Sequence, residues 1–282
     1  MQIPIDYHMH TNFSEDADDT PEAMCRRAIE LGVPEIGFSE HWDVGPYETK
    51  PRFFKPEPWY AEMERLRSLF TGQLRILAGI EIAEPHLYPQ ETAEVLGRAP
   101  FDYAIGSVHF VGPNFMFNGE YFHTHTADVV YGDYFAELDR MVRIAEIDIV
   151  AHFDIPARAG KPIFGYEPSR YEEEIRSTLI TCIERGLALD VNVSGLRKPA
   201  QIIMPDPLIL KWYAEMGGQR VTLGSDAHRL PEVSLHLDKA IEAIRTAGIT
   251  HLTHFEQRLA RLVALEEPRV PASNGQSLNS VV

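Results

Sequence analysis

Gln2-Ile3-Pro4-Ile5-Asp6-Tyr7-His8-Met9-His10 opens the chain as an apolar run that ends in two histidines. Residues 2–7 read as a short strand, so His8 and His10 fall at its tip. Side chains two apart on a strand point to one side, and two imidazoles aimed together can grip one metal ion. The pair gains weight because later apolar runs end in the same way. Residues 34–39 lead into Glu40-His41, and residues 74–82 carry Glu81. Residues 103–108 lead into His109, and 148–151 into His152. Residues 187–193 carry Asn192, with Ser194 and Arg197 just beyond, and residues 220–223 lead into Asp226 and His228. Asp16 stands in the loop after the first run.

Helical patterns fill the gaps. Thr20-Pro21-Glu22 reads as a capped helix start, and Gly32 as its C-terminal stop. Further helices are expected over 58–70, 91–96, 128–145, 168–185, 207–216 and 231–247. Strands alternating with helices imply a parallel sheet with crossover helices. About seven such units without a linker favour a closed α/β barrel, whose active site gathers at the C-terminal ends of the strands. A last short segment, 251–255, is expected to close the sheet. Residues 1–265 are read as one domain. Residues 266–282, rich in Pro, Ser, Asn and Gly, are read as a loose tail.

The 282 residues are 44% apolar and 24% charged, with a net charge of −16. Such acidity argues against nucleic acid, which favours basic surface. No run approaches ~18 apolar residues, so no membrane partner is expected. No signal-peptide pattern is visible. Cys25 and Cys182 each fall in an expected helix, which suits plain buried thiols and a reducing cytoplasm.

The motifs are His8-x-His10-Thr11-x-x-Ser14-x-Asp16, Phe38-Ser39-Glu40-His41, Gly79-Ile80-Glu81, Ser107-Val108-His109, Ala151-His152-Phe153-Asp154 and Gly224-Ser225-Asp226-Ala227-His228. With these motifs the chain resembles the PHP superfamily, named for polymerase and histidinol phosphatase, from the first strand to about residue 260. The resemblance implies a distorted (β/α)7 TIM-like barrel with three divalent metal ions, zinc, iron or manganese. It implies that His8, His10, Glu81 and Asp226 hold the first ion. Glu81, as a bridge, holds the second with His109 and His152, and Asp16, His41 and His228 hold the third. Asp16 stands where some members have His. Val191-Asn192-Val193-Ser194-Gly195-Leu196-Arg197 looks like the monofunctional histidinol-phosphatase branch, with Val193 in place of the usual Thr.

That branch implies hydrolysis of a small phosphorylated metabolite, L-histidinol phosphate, within histidine biosynthesis, by attack of a metal-activated hydroxide. Phosphate monoesters need up to ~10²¹-fold acceleration, and metals lower the pKa of bound water towards ~7. Three divalent ions against Asp16, Glu81 and Asp226 leave the site near +3 by formal count. An acidic protein can thus receive an anion. Arg197 and Arg158 are candidates to fork onto phosphate oxygens, with Ser194 and Asn192 as further phosphate contacts. Asp154 is the candidate acid for the leaving alkoxide, or a support for a histidine.

Other readings are another phosphorylated substrate, an amidohydrolase-like metal hydrolase, and a metal-bearing regulatory module. The Asp16-Ala17-Asp18-Asp19-Thr20 run imitates an aspartyl-phosphate motif but follows a polar loop, where a nucleophile does not fit. His123 and His125 lack a strand context and are read as surface or substrate-side residues.

Overall fold

The computed structural model describes residues 3–117 and 120–265. Its central sheet holds β1 (Glu35–Trp42), β2 (Arg75–Ala83), β3 (Tyr103–Ser107), β6 (Ile149–Val150), β7 (Ala188–Asn192) and β8 (Val221–Gly224). They run parallel in the order β1-β2-β3-β6-β7-β8. Two short strands, β4 (Phe110–Val111) and β5 (Asn114–Phe115), form a hairpin just beyond β3.

Residues 3–10 close the curled sheet into a barrel, yet not as a regular strand. On one side Gly37 N–H donates to Asp6 O and Ser39 N–H to Met9 O, both at 2.8 Å. On the other, Tyr7 N–H donates to Leu223 O at 2.8 Å and Asp226 N–H to His8 O at 2.7 Å. Three steps from Asp6 to Met9 face two from Gly37 to Ser39, so the segment carries an extra residue and breaks ladder regularity. The distorted (β/α)7 TIM-like barrel is present, with this segment as its seventh stave.

The helices are α1 (Pro21–Leu31), α2 (Pro56–Leu69), α3 (Pro89–Leu96), α4 (Glu120–Thr124), α5 (Ala127–Ile144), α6 (Ala157–Phe164), α7 (Glu172–Arg185), α8 (Pro207–Glu215) and α9 (Leu237–Thr246). Their ends obey local chemistry. Thr20 Oγ1 accepts from Ala23 N–H at the start of α1, and Gly32, at φ 72°, turns the chain out of it. Asp206 caps α8 ahead of Pro207. The helix expected over 231–247 starts late. Asp6 accepts from both the N–H and the hydroxyl of Ser234, holding it at φ 53°, so only a 3₁₀ turn over Leu230–Glu232 precedes α9. The turn formed by α6 and the β4–β5 hairpin were not anticipated.

Segment 251–255 does not extend the sheet, whose two edges residues 3–10 already satisfy. As β9 (His251–Glu256) it pairs antiparallel with β10 (Leu259–Ala264). The hairpin caps the N-terminal end of the barrel: Gln257 N–H and Arg258 N–H donate to Asp102 Oδ1 and O at 3.1 and 2.9 Å. His254 pairs with Glu35 at 3.0 Å. Tyr7 stacks on Tyr103 inside, ring centroids 5.2 Å apart. Gly37 and Gly79 make room for Tyr103; a Cβ on either would stand 2.1 or 2.2 Å from it. Cys25 and Cys182 are buried free thiols. No helix among the described residues is long and apolar enough to cross a membrane. The expected tail, 266–282, lies outside the described residues.

Candidate metal centre

All nine expected ligands converge at the C-terminal mouth of the barrel. Strand directions explain this. His41 and Glu81 lie in register on β1 and β2. His109 and His152 follow β3 and β6, Asp226 and His228 follow β8, and His8 and His10 end the seventh stave. Glu81 is the hub. Five imidazoles reach its two oxygens: His41 at 3.0 Å, His152 at 3.2 Å, His8 at 3.3 Å, His109 at 3.4 Å and His10 at 3.6 Å. Asp226 stands 3.5 Å from His10 and from His228. Asp16, half exposed, closes the rim at 3.0 Å from His228 and 3.7 Å from His41.

Ligand atoms fall within 4.8 Å of one another in the trios His8/His10/Asp226, Glu81/His109/His152, His10/His41/His228 and His41/Asp43/His109. The second is the expected group, the first is the expected group without Glu81, and the third has His10 where Asp16 was expected. Burial drives the Glu81 carboxyl up, but His8, His41 and His109 hold it well below the usual range. Burial, with His41 and His228 alongside, pulls His10 down to about 3.

The fit to cations rests on stranded atoms. His8 Nε2, both ring nitrogens of His10, His41 Nδ1 and Glu81 Oε1 are buried without a hydrogen-bond partner. Buried polar atoms are rarely left so. Imidazole and carboxylate donors gathered without mutual hydrogen bonds form a set for divalent transition metals.

Second contacts fix the loops that carry these groups. Glu40, buried, accepts from Thr11 N–H at 3.0 Å and from the Thr11 and Ser14 hydroxyls at 2.6 Å. Ser14 Oγ in turn accepts from His41 N–H at 3.0 Å. Glu84 accepts from His109 N–H at 2.6 Å and Phe110 N–H at 2.9 Å. His152 and Asp226 have positive φ, 23° and 54°, a strained backbone of the kind found at functional sites.

A cavity of about 340 Å³ opens over the mouth. Asp16, His41, Glu81, His109, His152, Asp226, His228 and Arg158 line it. So do Asp43, Glu48, Glu15, Thr49, Lys50, Phe115 and Phe117, most of which sequence reasoning passed over. Asp43 carried a signal, standing two residues after His41. Phe115 and Phe117 carried none, because strands of two residues leave no pattern in the sequence.

The expected substrate contacts divide. Arg158 lines the cavity with its guanidinium over Phe117, 4.4 Å from the ring centre, and 3.5 Å from Ser194 Oγ. Arg197 instead donates to Ser225 O and Asp226 O, both at 2.8 Å. Asn192 is wholly buried, donating to Asp190 Oδ2 at 3.0 Å and accepting from Ser194 N–H at 2.9 Å. Ser194 is buried as well. Asp154 is buried, is not among the residues that line the cavity, and accepts from Asp206 N–H at 3.1 Å; burial pushes its carboxyl up to about 8. His123 and His125 are exposed. His86 is buried against Glu137 at 2.6 Å.

Comparison with known proteins adds to this geometry. A probable histidinol-phosphatase of Deinococcus radiodurans is 31% identical over 254 residues, covering 86% of this chain and 93% of its own. A histidinol-phosphatase of Lactococcus lactis is 28% identical, covering 89% and 94%. The crystal structure of the Lactococcus lactis histidinol phosphate phosphatase, complexed with zinc, L-histidinol and phosphate, superposes with a TM-score of 0.84 at 25% identity. That match covers 92% of this chain and 98% of the other. The PHP domain model matches residues 6–194, about two thirds of the sequence, and with those relatives it shows that the chain belongs to the PHP domain family.

Proposed function

We propose that the protein is a metal-dependent phosphomonoesterase that hydrolyses L-histidinol phosphate to L-histidinol and phosphate, a step of histidine biosynthesis. The observation that carries the reading is the hub at Glu81, five imidazoles on one buried carboxylate beneath an open cavity. The relatives named histidinol-phosphatase cover almost their whole length with this chain, which supports the same substrate.

Three divalent ions fit the donors: one on His8, His10, Glu81 and Asp226, one on Glu81, His109 and His152, one on Asp16, His41 and His228. When bound they supply Lewis acidity toward phosphate oxygens and lower the pKa of bound water. The chain's own residues do the rest. Arg158, the arginine that lines the cavity, offers a forked pair of N–H donors to phosphate oxygens. Ser194 and Phe117 keep its plane in place. Arg197 does not meet phosphate; it fixes the backbone on which Asp226 sits. Asn192 and Ser194, buried below the cavity, support that floor instead of meeting substrate.

The far side of the cavity suits the leaving group. Asp43, Glu48 and Glu15 supply carboxyl groups, and Phe115 and Phe117 supply flat apolar faces. Histidinol carries an amine and an imidazole, so an acidic, aromatic wall matches it better than a sugar or nucleotide. A cytoplasmic setting agrees with two buried, unpaired thiols. The test is phosphate release by the purified protein from L-histidinol phosphate, set against phosphorylated sugars, nucleotides and other amino alcohols. The expected result is a clear preference for histidinol phosphate that disappears on chelation. Equal rates across the panel would remove the assigned substrate, and full activity after metal removal would remove the mechanism.

A further inference from the structure

One carboxylate outside the nine stands behind His8, on the side away from the cavity. Asp190, on β7, is wholly buried, and its Oδ2 lies 2.8 Å from His8 Nδ1. Asn192, two residues on, donates to the same oxygen at 3.0 Å and reaches Asp226 Oδ2 at 3.4 Å. The neighbouring strand allows this approach only because position 224 is glycine. A Cβ there would stand 2.3 Å from Asp190 Oδ1 and 2.7 Å from His8 Cβ.

The geometry has a chemical consequence. A carboxylate only accepts, so the His8 nitrogen facing Asp190 is the one that carries the proton. The lone pair is then on Nε2. That atom faces Glu81 Oε2 at 3.3 Å and Asp226 Oδ1 at 4.0 Å, and has no hydrogen-bond partner. With two carboxylate oxygens opposite, Nε2 is then the ring nitrogen open to a cation. Without Asp190 the proton is free to shift to Nε2 and bond Glu81, which closes the position.

We propose that Asp190 is the positioning residue of the His8/His10/Asp226 position. It holds the His8 proton on Nδ1, and Asn192 ties the Asp190 and Asp226 carboxylates to one another. The proposal rests on the reading of the mouth as a metal centre. It assigns Asp190 to one ion among three, because its hydrogen bond reaches His8 alone among the nine.

The experiment uses the full chain loaded with zinc. Nitrogen-15 NMR of the wild-type histidines reads which His8 nitrogen is protonated, with H8Q identifying the resonance. Elemental analysis after dialysis against graded chelator reads how tightly each ion is held, in wild type and D190N. Asparagine keeps the shape but offers a donor as well as an acceptor, so it no longer dictates the tautomer. The expected results are an Nδ1–H tautomer and, in D190N, one ion held about 10–100-fold more weakly with the others unchanged. Three ions held as in wild type, or all three lost together, would overturn the proposal. A proton on Nε2 in the wild type would overturn it even where D190N fails to fold. Wild-type protein that takes up no zinc would overturn the metal reading itself, and this role with it.

Discussion

Glu81 shows how much chemistry one side chain can organise. Its oxygens face in two directions, Oε2 toward His8, His10 and His41, Oε1 toward His109 and His152. Glu81→Ala should therefore empty two ion positions at once and abolish phosphatase activity. Elemental analysis that finds the wild-type metal content in this variant would refute the bridging role. The two arginines separate by partner. Arg158→Ala removes a donor that faces the cavity and should lower kcat/KM by about 10²–10³-fold, with inorganic phosphate becoming a much weaker inhibitor. Arg197→Ala strips two carbonyls of their donor and should lower the melting temperature while phosphate inhibition stays near wild type. At the leaving-group wall, Glu48 has one oxygen buried without a partner, and burial beside Asp43 pushes its carboxyl up to about 7. Glu48→Gln should raise KM for histidinol phosphate about tenfold, the scale of a charged hydrogen bond. It should leave the KM for an aryl phosphate with an uncharged leaving group unchanged; an equal rise for both substrates would mean a general distortion.

At the scale of an element, the loop from Thr11 to Asp16 depends on one acid beneath it. Glu40 satisfies one backbone N–H and two hydroxyls there. Glu40→Ala strands these groups, at about 1–3 kcal/mol for each, and should loosen Asp16 and His41 together. Urea denaturation with a parallel titration of the rim ion checks both effects. Gly79→Ala makes a different test, since its Cβ would enter the Tyr103 ring; overpacking of that kind costs about 1–3 kcal/mol. This scale also marks what the chain reveals by itself. Strand tips were legible because each ended in a ligand-type residue after a short apolar run. The cap of α1 was legible because Thr20, Pro21 and Gly32 each impose a local conformation. The β4–β5 hairpin was not, because two strands of two residues leave no periodic signal. Nor was the shortened start of α9, which depends on Asp6 reaching Ser234 from 228 positions away. Asp190 was hidden for a like reason: inside a wholly buried strand, an acid differs from its neighbours only through the partner the fold brings to it.

Across the whole molecule the barrel divides stability from chemistry. The N-terminal end is filled and capped, with Tyr7, Tyr103 and Glu35 packed under the β9–β10 hairpin, whose His254 pairs with Glu35. The C-terminal mouth is where a chain of net charge −16 gathers six imidazoles around three acids. Seven staves converge there, so ions bound at the mouth cross-link segments from residue 8 to residue 228. Such ions bind the folded chain and have no equivalent site in the unfolded one. Each ion present at a hundredfold excess over its Kd then adds about 2.7 kcal/mol of stability. For a chain of this length that corresponds to about 4–5 °C in melting temperature for each ion. Thermal denaturation of protein loaded with zinc, manganese or iron should show this rise over protein stripped by chelation, and it should vary with free metal concentration. Chelation that silences the enzyme without moving the transition would refute this linkage between ion binding and folding. A transition that moves in up to three steps with added metal would show the mouth to be the part of the fold that its ions hold shut.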